Sequence, residues 1–267
     1  MKELSLQEIK QIELQILIEL RDFCKKNNIR MFLSHGSLLG AIRYKGFIPW
    51  DDDIDVFVPR EDYRKLIALY SDNDRYHLFA YEKDNRYLFP YAKLCDITTL
   101  KDEGVHNNGV TLGLDVDIFP LDKWDDDLER AEREVEYQTR NNFLLGLSKL
   151  KKPDSINPIK RFFKGIMIAF VKILGSRHLL KKIIAEAQKH SNNNSKYLGN
   201  KVWCVYGRRD IIPAKAFDST IEVEFEGEAF PAPIGYDIFL SSLYGDYLPE
   251  PPIEKRKTHH SFKAYKL

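Results

Sequence analysis

Apolar side chains recur at helical spacing through the first 26 residues (Leu6, Ile9, Ile16, Leu17, Leu20, Phe23), opened by an S-x-x-E capping box of Ser5 and Glu8. A short apolar run at 29–34 predicts a strand, 37–43 a short helix, 54–58 a second strand and 59–70 a helix with Pro59 at its first turn. Further strands are predicted at 77–81 and 89–94. From Leu114 to Ile118 the pattern has period two: Leu114, Val116 and Ile118 make an apolar face, Asp115 and Asp117 an acidic one. Pro120 is expected to end that strand. The second half reads as more helical, with Asp125 capping a helix to about 149, helices at 159–174 and 177–190, a hairpin at 222–230 turning at Gly227, and a last helix at 236–244. The prediction is an α+β chain. The polar breaker at 151–155 divides a core (1–150) from a helical subdomain with a C-terminal hairpin and tail (151–267).

The chemistry concentrates in His35-Gly-Ser-Leu-Leu-Gly-Ala-Ile-Arg43 and Pro49-Trp-Asp-Asp-Asp-Ile-Asp-Val56. Asp53 and Asp55 are two apart on the predicted strand and therefore share a face, while Ile54 and Val56 point into the core. Two such carboxylates suit a hard divalent cation, and phosphoryl transfer needs one to neutralise crowded phosphate oxygens. Asp117 is the candidate third acid and general base, with Asp115 on the same face. Gly36 and Ser37 open the short helix, where backbone amides can hold a phosphate. Asp51 and Asp52 read as a solvated acidic turn, a reading that fails for Asp55 between two core residues. Cross-strand acids repel unless a cation lies between them.

The string GSLLGAIRYKGFIPWDDDIDV, with DVDIFPLD downstream and YGDYLPEPP near the end, resembles the LicD family of phosphocholine transferases, within the nucleotidyltransferase superfamily. The resemblance spans most of the chain in three blocks. It implies a mixed β-sheet flanked by helices. It also implies transfer of phosphocholine from CDP-choline to a sugar hydroxyl of a cell-surface glycopolymer precursor of teichoic acid or lipopolysaccharide type, with release of CMP. Carried over residue by residue, Gly36 and Ser37 fall in the phosphate-contacting turn, and Asp53, Asp55 and Asp117 become ligands of Mg²⁺ or Mn²⁺, two ions in all. A true nucleotidyltransferase releasing pyrophosphate, or a non-catalytic nucleotide-binding module, are the alternatives.

Other residues are weighed against ordinary structural roles. Arg43, Lys93, Arg208 and Arg209 could clamp phosphate, and Arg256 lies in the tail. A quaternary ammonium needs aromatic faces, for which Trp50 leads a set with Tyr81, Tyr87, Phe89, Tyr91, Trp203, Tyr206 and Tyr244. His259 and His260 are adjacent and poorly placed as a metal pair. Residues 159–174 are apolar almost all round with interspersed lysines, which suits a buried helix whose lysines snorkel; a helix lying on the inner membrane leaflet, near a lipid-linked acceptor, is the alternative. A net charge of +1 offers nucleic acid no global attraction, and three scattered cysteines point to a reducing compartment. With neither a signal peptide nor a membrane span in sight, the expectation is a cytoplasmic protein working at the inner face of the membrane.

Overall fold

The structure is a computed structural model that describes residues 1–104, 108–153, 157–190, 194–257 and 262–267. Asp154 and Ser155 of the breaker, and the His259–His260 pair, lie outside the described residues. The chain opens with β1 (Lys2–Glu3) and α1 (Leu6–Lys26). The capping box forms: the Ser5 hydroxyl accepts from the Glu8 N–H at 3.3 Å, and the Glu8 carboxylate accepts from the Ser5 N–H at 2.9 Å. Then come β2 (Phe32–Leu33), α2 (His35–Tyr44), β3 (Asp55–Pro59), α3 (Arg60–Leu69), β4 (Tyr76–Phe79), β5 (Ala92–Asp96), β6 (Thr99–Asp102) and β7 (Leu114–Lys123). The remainder holds α4 (Leu128–Lys149), α5 (Pro158–Leu174), α6 (Ser176–Ala187), β8 (Tyr197–Gly199), β9 (Ile212–Pro213), β10 (Thr220–Phe225), β11 (Glu228–Pro233), α7 (Tyr236–Tyr244) and β12 (Lys263–Lys266).

The central sheet has the order β2-β3-β7-β5-β4, and β8 and β9 extend it from the far end of β7. It is mixed: β3 and β7 run parallel, and the neighbouring pairs are antiparallel. Flanking helices complete an α+β fold. α1 lays Ile16, Leu17 and Leu20, all fully buried, against β5 and β7. β7 does not stop at Pro120. β5 ends opposite Ile118, and the Asp117 N–H already donates toward β3. Strand alternation therefore aims the Pro120 nitrogen at the side where the ladder has ended, and no hydrogen bond is lost. The β10–β11 hairpin turns at Glu226 and Gly227, both at positive φ, and joins the same core through Phe225 and Phe230.

α5 departs from the buried helix that its composition suggested. Only Ile168 and Val171 are buried, against α4, while Phe162, Phe163 and Phe170 are exposed. Among the described residues no helix is long and apolar enough to cross a membrane.

Candidate active site

Parallel pairing of β3 and β7 sets Asp55 level with Asp117, and β5 sets Lys93 on the other side of Asp117. Ile54 and Val56 are fully buried beneath. The strand begins only at Asp55, so Asp53 stands in the loop that enters it rather than on β3. That loop is fastened from two directions. Lys10 on α1 donates to the Ile48 and Pro49 carbonyls, each at 3.1 Å, and the Glu226 carboxylate accepts from the Phe47 N–H at 3.0 Å. α2 packs so closely on it that a Cβ at Gly40 would come within 2.4 Å of the Gly46 carbonyl oxygen.

The start of α2 meets the acids directly. The Ser37 hydroxyl, itself buried, accepts from the Asp55 N–H at 2.8 Å, so it positions β3. A Cβ at Gly36 would lie 2.8 Å from Asp51 Oδ2, which is why only glycine lets this carboxylate approach the helix start. Asp51 and Asp52 are not a solvated turn. Asp52 is buried, and oxygens of Asp51, Asp52 and Asp53 converge within 4.8 Å of one another. Asp125, Glu134 and His190 form the other such group among the described residues, but Lys201 and Lys189 already pair with Glu134.

Behind the acids runs a buried ladder of alternating charge. Lys93 ion-pairs with both Asp115 and Asp117, and Lys101 Nζ lies 2.8 Å from Asp115. Burial would lift Asp115, but Lys101 and Lys93 outweigh it and hold the carboxyl below the usual range. Burial also opposes the Lys93 ammonium, yet Asp115 and Asp117 keep it well above the ordinary lysine value. Asp117 goes the other way: burial raises its carboxyl to about 7 against the pull of Lys93. Burial, then the charges of Asp53, Asp117 and Asp51, push Asp55 well above the carboxylate range. Glu13 on α1 is fully buried, neither carboxylate oxygen has a hydrogen-bond partner, and burial raises it strongly as well. This excess of negative charge, borne on hard oxygen donors, fits a divalent cation of the Mg²⁺ or Mn²⁺ type.

Tyr206 and Tyr244 join their hydroxyls at 3.0 Å, and Tyr206 stacks on His35, whose Nδ1 is 3.7 Å from Asp55 Oδ2. Burial depresses His35 to about 3, so its ring stays neutral. Tyr91 meets Trp203 with ring centroids 5.9 Å apart, and Lys149 Nζ sits 3.4 Å from the centre of Phe89. Trp50 packs edge-on against Tyr44, with the Arg256 guanidinium over its ring. The predicted cations scatter. Lys93 is committed to the two aspartates, Arg43 lies over Tyr44 with a buried Nη2 lacking a partner, and Arg209 donates to the Leu243 carbonyl at 2.6 Å beside Tyr206. Arg208 turns instead to Glu132 on α4. Sequence reasoning missed Glu13 and Lys101. The signal for Glu13 was a charge on the apolar stripe of α1 between Ile9 and Ile16, whereas Lys101 sits on a strand that periodicity did not predict.

An acid-bearing strand preceded by a Gly-Ser helix and paired in parallel with a second acidic strand defines a nucleotidyltransferase-type site. Residues 28–150 match the nucleotidyltransferase domain described as LicD/FKTN/FKRP. Over its whole length the chain is 31% identical to the lipopolysaccharide cholinephosphotransferase LicD of Haemophilus influenzae, with 276 residues aligned and 100% of each chain covered. The chain belongs to the LicD family of transferases. Shorter matches, 42% identical over 48 residues, relate 18% of this chain to uncharacterised proteins of Rickettsia prowazekii and Rickettsia typhi, of which they cover 18% and 16%.

Proposed function

We propose that the protein transfers phosphocholine from CDP-choline to a sugar hydroxyl of a cell-surface glycopolymer precursor, of lipopolysaccharide or teichoic acid type, in the cytoplasm at the inner face of the membrane. The observation that carries the chemistry is the level pairing of Asp55 with Asp117, with Asp53 and Asp51 near enough for their charges to act on Asp55. The substrate class rests on the full-length likeness to a cholinephosphotransferase.

Asp53, Asp55 and Asp117 would hold the divalent ions, which when bound supply charge neutralisation at the donor's diphosphate. Asp117 would take the proton of the acceptor hydroxyl. Lys93 and Asp115 hold Asp117 in place from behind. Ser37 fixes the Asp55 backbone, and Gly36 makes room for the Asp51 carboxylate at the helix start. Tyr206, Tyr244 and Trp50 offer aromatic faces to the choline, which cannot donate a hydrogen bond. Arg43, whose buried Nη2 lacks a hydrogen-bond partner, would be the cation that meets the leaving nucleotide.

The test is a donor screen with Mg²⁺ that reads CMP release from CDP-choline in wild type and in Asp55→Ala. CMP release that falls at least about a hundredfold in a variant of unchanged thermal midpoint is the expected outcome. Pyrophosphate release from a nucleoside triphosphate, or an Asp55→Ala variant of full activity, would overturn the proposal.

A further inference from the structure

α5 is amphipathic in the wrong sense for a helix that belongs to a core. Successive residues turn by about 100°, which gathers Phe162, Ile173, Ile166, Ile159, Phe170 and Phe163 into one unbroken arc of roughly 100° with no polar residue inside it. That arc faces outward: exposure runs from 54% at Ile166 to 84% at Ile173. The protein side is narrow. Ile168 and Val171 pack there, and Ile168 shares a small cluster with Leu147 and Leu150 at the end of α4. Exposed Lys160 borders the arc on one side, and exposed Arg161 and Lys172 lie toward the other. Single exposed apolar residues are ordinary, but a contiguous aromatic and aliphatic ridge of this kind marks an interaction surface.

The charge around the ridge selects the partner. Although the whole chain carries only +1, the segment from Lys149 to Lys182 holds ten lysines and arginines and a single acid, Asp154. An apolar ridge bordered by cations matches an anionic lipid surface, with apolar side chains entering the acyl boundary and lysines meeting headgroup phosphates. We infer that α5 is an in-plane membrane anchor that docks the protein on anionic bilayers without crossing them. Docking through α5 sets the end of α4 near the bilayer, and Lys149 at that end lies over Phe89 beside the acidic site.

The inference is read by lipid binding alone, so it stands or falls apart from the phosphocholine assignment. The intact protein is sedimented with phosphatidylethanolamine–phosphatidylglycerol vesicles and with pure phosphatidylcholine vesicles. The expected result is binding to the anionic vesicles that weakens with salt, and that falls at least about tenfold in Phe162→Ser/Ile166→Ser/Phe170→Ser. Lys160→Glu/Lys172→Glu should weaken anionic binding and leave phosphatidylcholine binding unchanged. All five positions are exposed, so thermal midpoints should match wild type and separate lost docking from lost folding. Wild type that ignores anionic vesicles, or a triple serine variant that binds as well as wild type, overturns the inference. A concentration-dependent dimer abolished by the serine variant, with no vesicle binding, would show that a second copy covers the ridge instead.

Discussion

Replacing Lys93 with methionine removes the ammonium from the centre of the charge ladder while keeping most of the side chain's volume. Lys93 is 3% exposed and pairs with two carboxylates, so its loss leaves Asp115 and Asp117 facing each other without a cation between them. Breaking a buried pair by removing one partner costs about 3–5 kcal/mol. Two features modulate that figure. Asp115 keeps Lys101 at 2.8 Å, which compensates one charge at every pH. Asp117 titrates near 7 even with Lys93 present, so below that value a proton quenches its charge. The expected loss therefore lies near the lower end of the range at pH 6 and near the upper end at pH 8. Urea midpoints at the two pH values, at unchanged m-value, read the difference directly. Millimolar Mg²⁺ should restore part of the pH 8 loss, because a cation returns to the acids. A variant as stable as wild type at pH 8, or one that loses the same amount at both pH values, would refute the account of Lys93 as the counter-charge of Asp117.

Three further outcomes follow from the same geometry. Asp210 is buried with Oδ1 unpartnered, and burial raises its carboxyl to about 8. The folded protein then keeps a proton that the unfolded chain releases near its ordinary value, so this group's stabilisation is complete in acid and drains away as pH climbs to about 8. Asp210→Asn should flatten the decline of the denaturation midpoint between pH 5 and 8 relative to wild type. Gly40→Ala would press a methyl to within 2.4 Å of the Gly46 carbonyl oxygen and should cost about 1–3 kcal/mol by thermal denaturation, with weaker metal binding because the acidic loop must shift. Mg²⁺ affinity measured by calorimetry should fall as pH drops below about 7, with proton release on binding, because Asp117 must lose its proton to ligate.

How much of this was readable beforehand depends on how local the determinants are. α1, α7 and the β10–β11 hairpin follow from periodicity, a capping box and a turn glycine, and they form where the pattern places them. The Asp55–Asp117 meeting was approachable because both residues alternate with core residues on strands. β6 and β12 were not, since four-residue strands bearing lysines gain their stability from distant pairing rather than from their own sequence. The roles of Asp51 and Asp52 were hidden because a run of aspartates reads alike whether water or Gly36 lies beside it. α5 shows the reverse limit: its composition says amphipathic helix, but which side meets the protein is decided by Leu147 and Leu150, outside its own length.

The small sheet β1-β12-β6 joins segments from opposite extremes of the chain, and β6 carries Lys101. Phe262, just ahead of β12, lays its ring 4.5 Å from Lys101 Nζ. The last half-dozen residues thus act as a lid over Lys101, the second cation of the charge ladder. A truncation that trims them, or a purification tag that competes for that edge, would be felt at Asp115 despite leaving every acidic residue in place.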